Sequence, residues 1–355
     1  MAGNRRGVSV LRTMGSLIFA GVVAVGLLYL ADFALQRMFQ RSAMSTAYYI
    51  VFGLVALAVF VLMVFPANRP GRSFKNFLRW LLIVVLSLGI AVGGIVWNLQ
   101  NDMMYQTAHY KAADEDRIKA MPNMEEINVS DRAGQKYHGW LWKNAPERAG
   151  LVIYFGGNGE FAASSLGSIA GNSQAGQVFS GYNVLMIDNP GYGQSQGSPG
   201  EESIYRMALA AWDYMAARPD VDPQRIVLAG WSLGSGTAAR LAAEKEPAGL
   251  ILMAPFYDGR ELINGVMEAN LLPSFLEFLV RNKYQNNLYA KDTQAKALII
   301  GATNDRMIPV QQAQRLAKEY PNATYLEVAG SHNDARFGTQ ALTAIAGFLQ
   351  QAITK

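Results

Sequence analysis

Two pentapeptides in this chain could each hold a nucleophilic serine. Gly193-Gln194-Ser195-Gln196-Gly197 and Gly230-Trp231-Ser232-Leu233-Gly234 both match G-x-S-x-G. In that pattern a serine sits on a strained strand-to-helix turn with its hydroxyl raised above a sheet. The chain has 34 glycines in 355 residues, so the pattern arises easily by chance and only its context can choose. Ser232 follows the apolar run RIVLAG and precedes the Ala-rich SGTAARLAAEKE, which gives strand, turn and helix in the required order. Ser195 lies in a loop with Pro190, Gly191 and Gly193; Pro199 follows, and the next helix starts only near Glu201. Ser232 is the expected nucleophile and Ser195 a loop serine.

A serine hydroxyl needs a base, and the base needs a carboxylate to orient it. The chain has 3 histidines. His109 falls in a polar stretch and His138 in the early apolar run KYHGWLW. His332, in VAGSHND after the last predicted strand, is where the order Ser, Asp, His requires the base. Asp305, just past the strand run in ALIIGATNDRMIP, is the expected orienting acid. Asp258, after ILMAPFY, is the alternative, and Asp334 is too close to His332 in sequence to orient it easily. Acyl transfer also needs donors for the oxyanion of the tetrahedral intermediate. The backbone N–H of Leu233, next after the nucleophile, is one candidate, and that of Asn158 in the glycine loop YFGGNGE is the other. This chemistry needs no cofactor and no metal.

The elements that must position these residues are legible from about Glu125 onward. EEINVS and KYHGWLW suit a leading antiparallel pair. GLVIYF, YNVLMID, RIVLAG, GLILMA, ALIIGA and ATYLEVA are continuous apolar runs of the kind found in strands buried on both faces. Helical patterns alternate with them, in ESIYRMALAAWDYMAAR, SGTAARLAAEKE, VQQAQRLAKEY and TQALTAIAGFLQQAI. Such alternation predicts one α/β domain over 125–355 with a mostly parallel sheet and helices on both faces. Residues 256–296 interrupt the pattern with more chain than a simple crossover needs, which predicts a small helical cap whose apolar face includes FLEFLV.

The N-terminal part is different in kind. Hydrophobic residues make up 51% of the chain and charged residues only 16%. Three uncharged stretches account for this: Thr13 to Ala31, the run between Arg41 and Arg69, and the run between Arg79 and Asp102. Each is long enough to cross a bilayer as a helix, and Tyr48, Tyr49, Trp80 and Trp97 lie near their ends. The expected organisation is a membrane region over 1–101 with three transmembrane helices, a juxtamembrane linker over 102–124, and the α/β domain. Arg5, Arg6, Arg12, Arg69, Arg72, Lys75 and Arg79 would share one side; Arg37, Arg41, Lys111, Arg117 and Lys119 would share the other. The excess predicts an N-terminus on the cytoplasmic side and an extracytoplasmic catalytic domain on a multi-pass protein of the cell (inner) membrane. The net charge of +4 is mild, and no basic block with interleaved aromatics suggests nucleic acid. The absence of cysteine excludes disulfides and a thiol nucleophile.

Five segments in order, YFGGNGE, DNPGYGQSQGSPGEE, GWSLGSG, GATNDRMIP and GSHND, resemble the α/β-hydrolase superfamily. Within it they resemble the membrane-anchored serine hydrolases of the bud-emergence type, whose relatives include acylglycerol, lysophospholipid and acyl-thioester hydrolases. The resemblance implies an α/β-hydrolase fold with Ser232, Asp305 and His332 in the triad positions, and it makes GYGQSQG a loop and not the nucleophile turn. Gly156 stands where a histidine is common, and Pro190 where an arginine is common. The three hydrophobic stretches lie outside the resemblance. Sequence and resemblance together predict a membrane-anchored serine hydrolase of ester or thioester bonds in lipid or acylated substrates. The alternatives are a serine peptidase and a catalytically inactive membrane receptor or scaffold.

Overall fold

The computed structural model describes residues 100–353 apart from 102–103, 108–110, 146–147 and 267–279. The three hydrophobic stretches, His109 and most of the FLEFLV segment lie outside the described residues. No helix among the described residues is long and apolar enough to cross a membrane.

Eight strands form one sheet in the order β1-β2-β4-β3-β5-β6-β7-β8. They are β1 (Met124–Ser130), β2 (Lys136–Trp142), β3 (Ala149–Phe155), β4 (Tyr182–Ile187), β5 (Val221–Trp231), β6 (Gly249–Met253), β7 (Ala297–Ala302) and β8 (Ala323–Val328). The β1–β2 and β2–β4 pairs are antiparallel, and the others are parallel. The predicted leading antiparallel pair and the six predicted parallel strands are all present.

The apolar runs are continuous because both sheet faces are covered. Leu151, Ile153 and Phe155 of β3 join Leu228, Leu250, Leu252 and Ile299 in one core. The alternate residues Val152 and Tyr154 join Val227, Ala229, Ile251, Met253, Leu298 and Ile300 in the other. Helices α4 (Glu201–Ala216), α5 (Leu233–Lys245) and α8 (Val310–Ala317) cover the first face through residues such as Met207, Leu241 and Leu316. Helices α1 (Ala112–Lys119), α2 (Ala162–Gly171) and α10 (Thr339–Ile353) cover the second through Ile118, Leu166 and Leu349. Shorter helices are α3 (Ser173–Val178), α6 (Gly259–Val266), α7 (Asn286–Asp292) and α9 (Asp334–Phe337). Within 256–296 the described residues include α6 and α7, and residues 267–279, which hold most of the expected apolar cap face, lie outside them.

The segment read as a juxtamembrane linker or surface helix contains α1, and most of its described residues are exposed or half-exposed. Met104, Tyr105, Glu115 and Ile118 are all buried, and the compact unit of the α/β domain begins at Met104.

Strand order places the chemistry. From β3 the chain first moves to β4 on one side, then returns to β5 on the other, so the order reverses between β3 and β5. The crevice beyond the carboxyl ends of strands at such a reversal is where open α/β sheets bind ligands. Phe155 at the end of β3 pairs with Gly230 of β5, which puts the Gly156–Gly159 loop beside Ser232. Ala302 of β7 pairs with Val328 of β8, which puts the loop carrying Asp305 beside the loop carrying His332.

Candidate active site

Ser232 stands between β5 and α5 with φ 52° and ψ −118°. A non-glycine residue in that region is strained, and the surrounding structure must hold it there. Its own N–H does so by donating to the Met253 carbonyl at 2.9 Å. The flanking glycines are required for space. A Cβ on Gly230 would collide with the Gly234 carbonyl, and one on Gly234 would collide with the Phe155 carbonyl. The other G-x-S-x-G uses glycine differently, since Gly193 and Gly197 both take positive φ. There the Ser195 hydroxyl is buried and engaged, donating to the Asp188 carbonyl at 2.7 Å and accepting the His138 N–H at 2.9 Å. It ties a turn to β2 and has no free reach for attack.

Nδ1 of His332 lies 2.6 Å from Oδ2 of Asp305. The other Asp305 oxygen accepts the N–H groups of Met307 at 2.9 Å and Ile308 at 2.8 Å. Both oxygens are thus fixed, and an ionised carboxylate suits this set of donors. Nε2 of His332 is buried with no hydrogen-bond partner. In the absence of a substrate, the hydrogen bond from nucleophile to base is often long and closes only when the site is filled. Ser232, Asp305 and His332 are all buried.

The two other carboxylates have different partners. Asp258 accepts the Glu261 N–H at 2.8 Å at the start of α6. Asp334 accepts the N–H and the hydroxyl of Ser331 at 2.7 and 2.8 Å. His138 sits within the sheet, with Nε2 3.0 Å from Glu126 and Nδ1 3.5 Å from Asp188, the latter a charge contact and not a hydrogen bond.

Leu233 opens α5, so its N–H belongs to the first helical turn, whose donors have no intrahelical partner and favour negative charge. In the facing loop, the Gly157 N–H is taken by Glu160 Oε2 at 2.7 Å, which leaves Asn158 as the next donor along the chain. The Asn158 side chain is held by two groups, the Gln106 N–H at 2.7 Å and the Tyr192 hydroxyl at 2.9 Å.

A supporting network joins these loops, and sequence analysis did not find it. Glu160 accepts Gly157 N–H, the Ser165 hydroxyl at 2.9 Å and the Arg336 guanidinium. Arg336, on α9 just after His332, also donates to the Tyr154 hydroxyl at 3.0 Å. Its guanidinium carbon lies 3.8 Å from the ring centroid of Trp231, whose other contacts include the His332 ring at 5.0 Å. The indole N–H approaches the His332 carbonyl at 3.4 Å. A side chain on Gly157 would collide with the same indole. The only available signal was that Glu160 and Arg336 flank the GGNG and GSHND motifs.

An eight-stranded sheet in this order, with a strained serine after β5 and a carboxylate-bound histidine after β8, has the α/β-hydrolase fold. The family described as alpha/beta hydrolase fold matches residues 151–278. Among curated proteins, an uncharacterised protein of Mycobacterium tuberculosis is 27% identical over 277 residues, covering 76% of this chain and 95% of its own. The alpha/beta hydrolase domain-containing protein WAV2 of Arabidopsis thaliana is 28% identical over 229 residues, covering 59% of this chain and 72% of its own. Among solved structures, the Pyrococcus furiosus esterase Pf2001 superposes with a TM-score of 0.54 at 17% identity, over 70% of this chain and 97% of its own. Est1E from Butyrivibrio proteoclasticus, bound to ferulic acid, superposes with a TM-score of 0.50 at 19% identity, over 64% of this chain and 99% of its own.

Proposed function

We propose that this protein is a serine hydrolase that cleaves carboxylic ester or thioester bonds through an acyl-enzyme. Ser232 Oγ attacks the carbonyl carbon while His332 Nε2 takes its proton. The N–H groups of Leu233 and Asn158 stabilise the oxyanion. Collapse of the intermediate breaks the bond to the leaving alcohol or thiol, which takes the proton from His332. Water then attacks the acyl-enzyme by the same steps and releases the acid, and Asp305 holds the imidazole throughout. The observation that carries this reading is the bare, buried Nε2 of a histidine whose Nδ1 is already committed to a carboxylate. The fold shared with proteins named as esterases supports ester chemistry. Ser232→Ala should abolish covalent labelling by a fluorophosphonate and abolish ester turnover; labelling that persists in this variant would overturn the assignment.

We further propose a membrane setting. The three uncharged N-terminal stretches would anchor the chain. The charge asymmetry of their flanks would place the catalytic domain outside the cytoplasm. Three spans are more than a soluble substrate requires, so a lipid or other acylated molecule at that membrane face is the preferred substrate class. Protease added outside intact cells should cut the catalytic domain; protection until lysis would reverse the orientation. Long-chain esters should exceed acetyl esters in kcat/KM; the opposite order would leave a general esterase on an anchor.

A further inference from the structure

The segment from Met104 to Thr107 stands at the entrance to the α/β domain, directly after the last hydrophobic stretch of the sequence. A plain tether would be exposed and would touch nothing that matters for chemistry. Tyr105 is instead 1% exposed. Its hydroxyl pairs with the Tyr284 hydroxyl at 2.9 Å. Burial raises the pKa of both phenols, so the pair stays neutral. Tyr284 in turn meets Phe256 edge-on, with ring centroids 5.7 Å apart. One residue further, the Gln106 N–H donates to Asn158 Oδ1 at 2.7 Å. The Tyr192 hydroxyl donates to the same oxygen at 2.9 Å. A carbonyl oxygen has two lone pairs, and here both are used by groups from two separate parts of the chain.

Asn158 lies in Gly156-Gly157-Asn158-Gly159, a sequence with little conformational preference of its own. An oxyanion donor accelerates acyl transfer only if it already points at the site and need not reorganise during the reaction. Glu160 fixes the Gly157 peptide from one side, but nothing in the loop itself fixes Asn158. Its side chain supplies the missing restraint.

We propose that the Tyr105–Gln106 segment belongs to the catalytic apparatus: together with Tyr192 it clamps the Asn158 side chain and so aims the Asn158 N–H at the oxyanion. Gln106 and Tyr192 are positioning residues in this scheme, since neither touches substrate. The inference rests on the serine-hydrolase reading above.

The test uses the full chain in detergent and a short p-nitrophenyl ester. Gln106→Pro deletes the N–H donor, and Gln106→Ala keeps it. Tyr192→Phe deletes the second donor. Gln106→Ala is the reference against which Gln106→Pro is read, since the two differ at the backbone donor. Gln106→Pro and Tyr192→Phe should each lower kcat on the order of 10-fold, below the loss for removing a whole oxyanion donor, with KM and thermal midpoint unchanged. In an Asn158→Ala background neither substitution should lower kcat further, because groups acting through one residue are not additive. Wild-type kcat in both donor deletions, or effects that add to Asn158→Ala, would overturn the proposal. If proline prevents folding, the Tyr192→Phe and Asn158→Ala cycle decides alone. Failure of the hydrolase reading would look different, as labelling retained in Ser232→Ala.

Discussion

Asp305 and His332 are joined through Oδ2 and Nδ1 at 2.6 Å, while the remaining oxygen of Asp305 is fixed by two backbone N–H groups. The carboxylate can therefore neither rotate away nor exchange its oxygens. Asp305→Asn should preserve the backbone contacts through its carbonyl oxygen but turn an N–H toward Nδ1. The imidazole would then carry its proton on Nε2, the wrong atom for a base. We expect kcat to fall by about 10^3- to 10^4-fold with a thermal midpoint close to wild type. A loss of less than tenfold would remove Asp305 from its assigned role.

The conformation of Ser232 exacts a cost in stability. Strain of this kind is worth about 1–3 kcal/mol, and glycine relieves it while losing about 0.5–1 kcal/mol through the unfolded chain. Ser232→Gly should therefore be more stable than Ser232→Ala, by on the order of 1 kcal/mol in chemical denaturation, with both inactive. An alanine variant at least as stable as the glycine variant would show that the turn is unstrained.

Ser195 offers the reverse case. Its hydroxyl satisfies two buried backbone groups, so Ser195→Ala leaves a buried N–H without its partner. The expected cost is about 1–3 kcal/mol of stability, with fluorophosphonate labelling retained in the folded protein. Loss of labelling without loss of stability would return Ser195 to candidacy as the nucleophile.

These contrasts also show what the sequence could and could not reveal. All eight strands were legible because burial on both faces writes them as continuous apolar runs. The proposed triad of Ser232, Asp305 and His332 could be picked out because each residue follows a strand end, where open α/β sheets bind ligands. Helices α2 and α3 were not predicted. Their segment AASSLGSIAGNSQAGQV is rich in Ala, Ser and Gly, and its buried face begins with Ala162 and Ala163, too small to stand out by periodicity. α7 is short and polar for the same lack of contrast. The Glu160–Arg336 pair was invisible for another reason: its partners are 176 residues apart, and an ion pair across loops has no periodicity. The buried Tyr105 was hidden in a stretch whose charge and polarity suggest solvent.

His138 should make stability depend on pH. Burial opposes its protonation, but Asp188, aided by Glu115 and Glu126, outweighs burial and raises its pKa above the ordinary value. A raised folded pKa means that folding favours the proton. The contribution is complete below the unfolded value near about 6.5 and is lost as pH rises through the folded value. The thermal midpoint of wild type relative to His138→Asn should therefore be most favourable in mildly acidic buffer and decline toward alkaline pH. A difference that does not change with pH would mean that His138 stays neutral in the fold.

Arg336 and Glu160 should matter to catalysis beyond their share of stability. They bind the turn carrying His332 to the loop carrying Asn158, and Arg336 covers the indole of Trp231, the residue before Ser232. The pair is partly buried, and removing one partner leaves the other without its counter-charge, so activity must be read at a temperature where every variant is folded. Under that condition Arg336→Met should lower kcat more than Arg336→Lys, since lysine keeps the charge that faces Glu160 and loses only the flat guanidinium that covers the Trp231 ring. Glu160→Gln should fall between them, because the amide oxygen can still accept the Gly157 N–H while losing its charge. KM should stay near wild type in all three if these groups act only through the loops they hold. Equal kcat across the folded variants would make the pair a structural brace alone. A rise in KM at constant kcat would place it at the substrate instead of behind the catalytic loops.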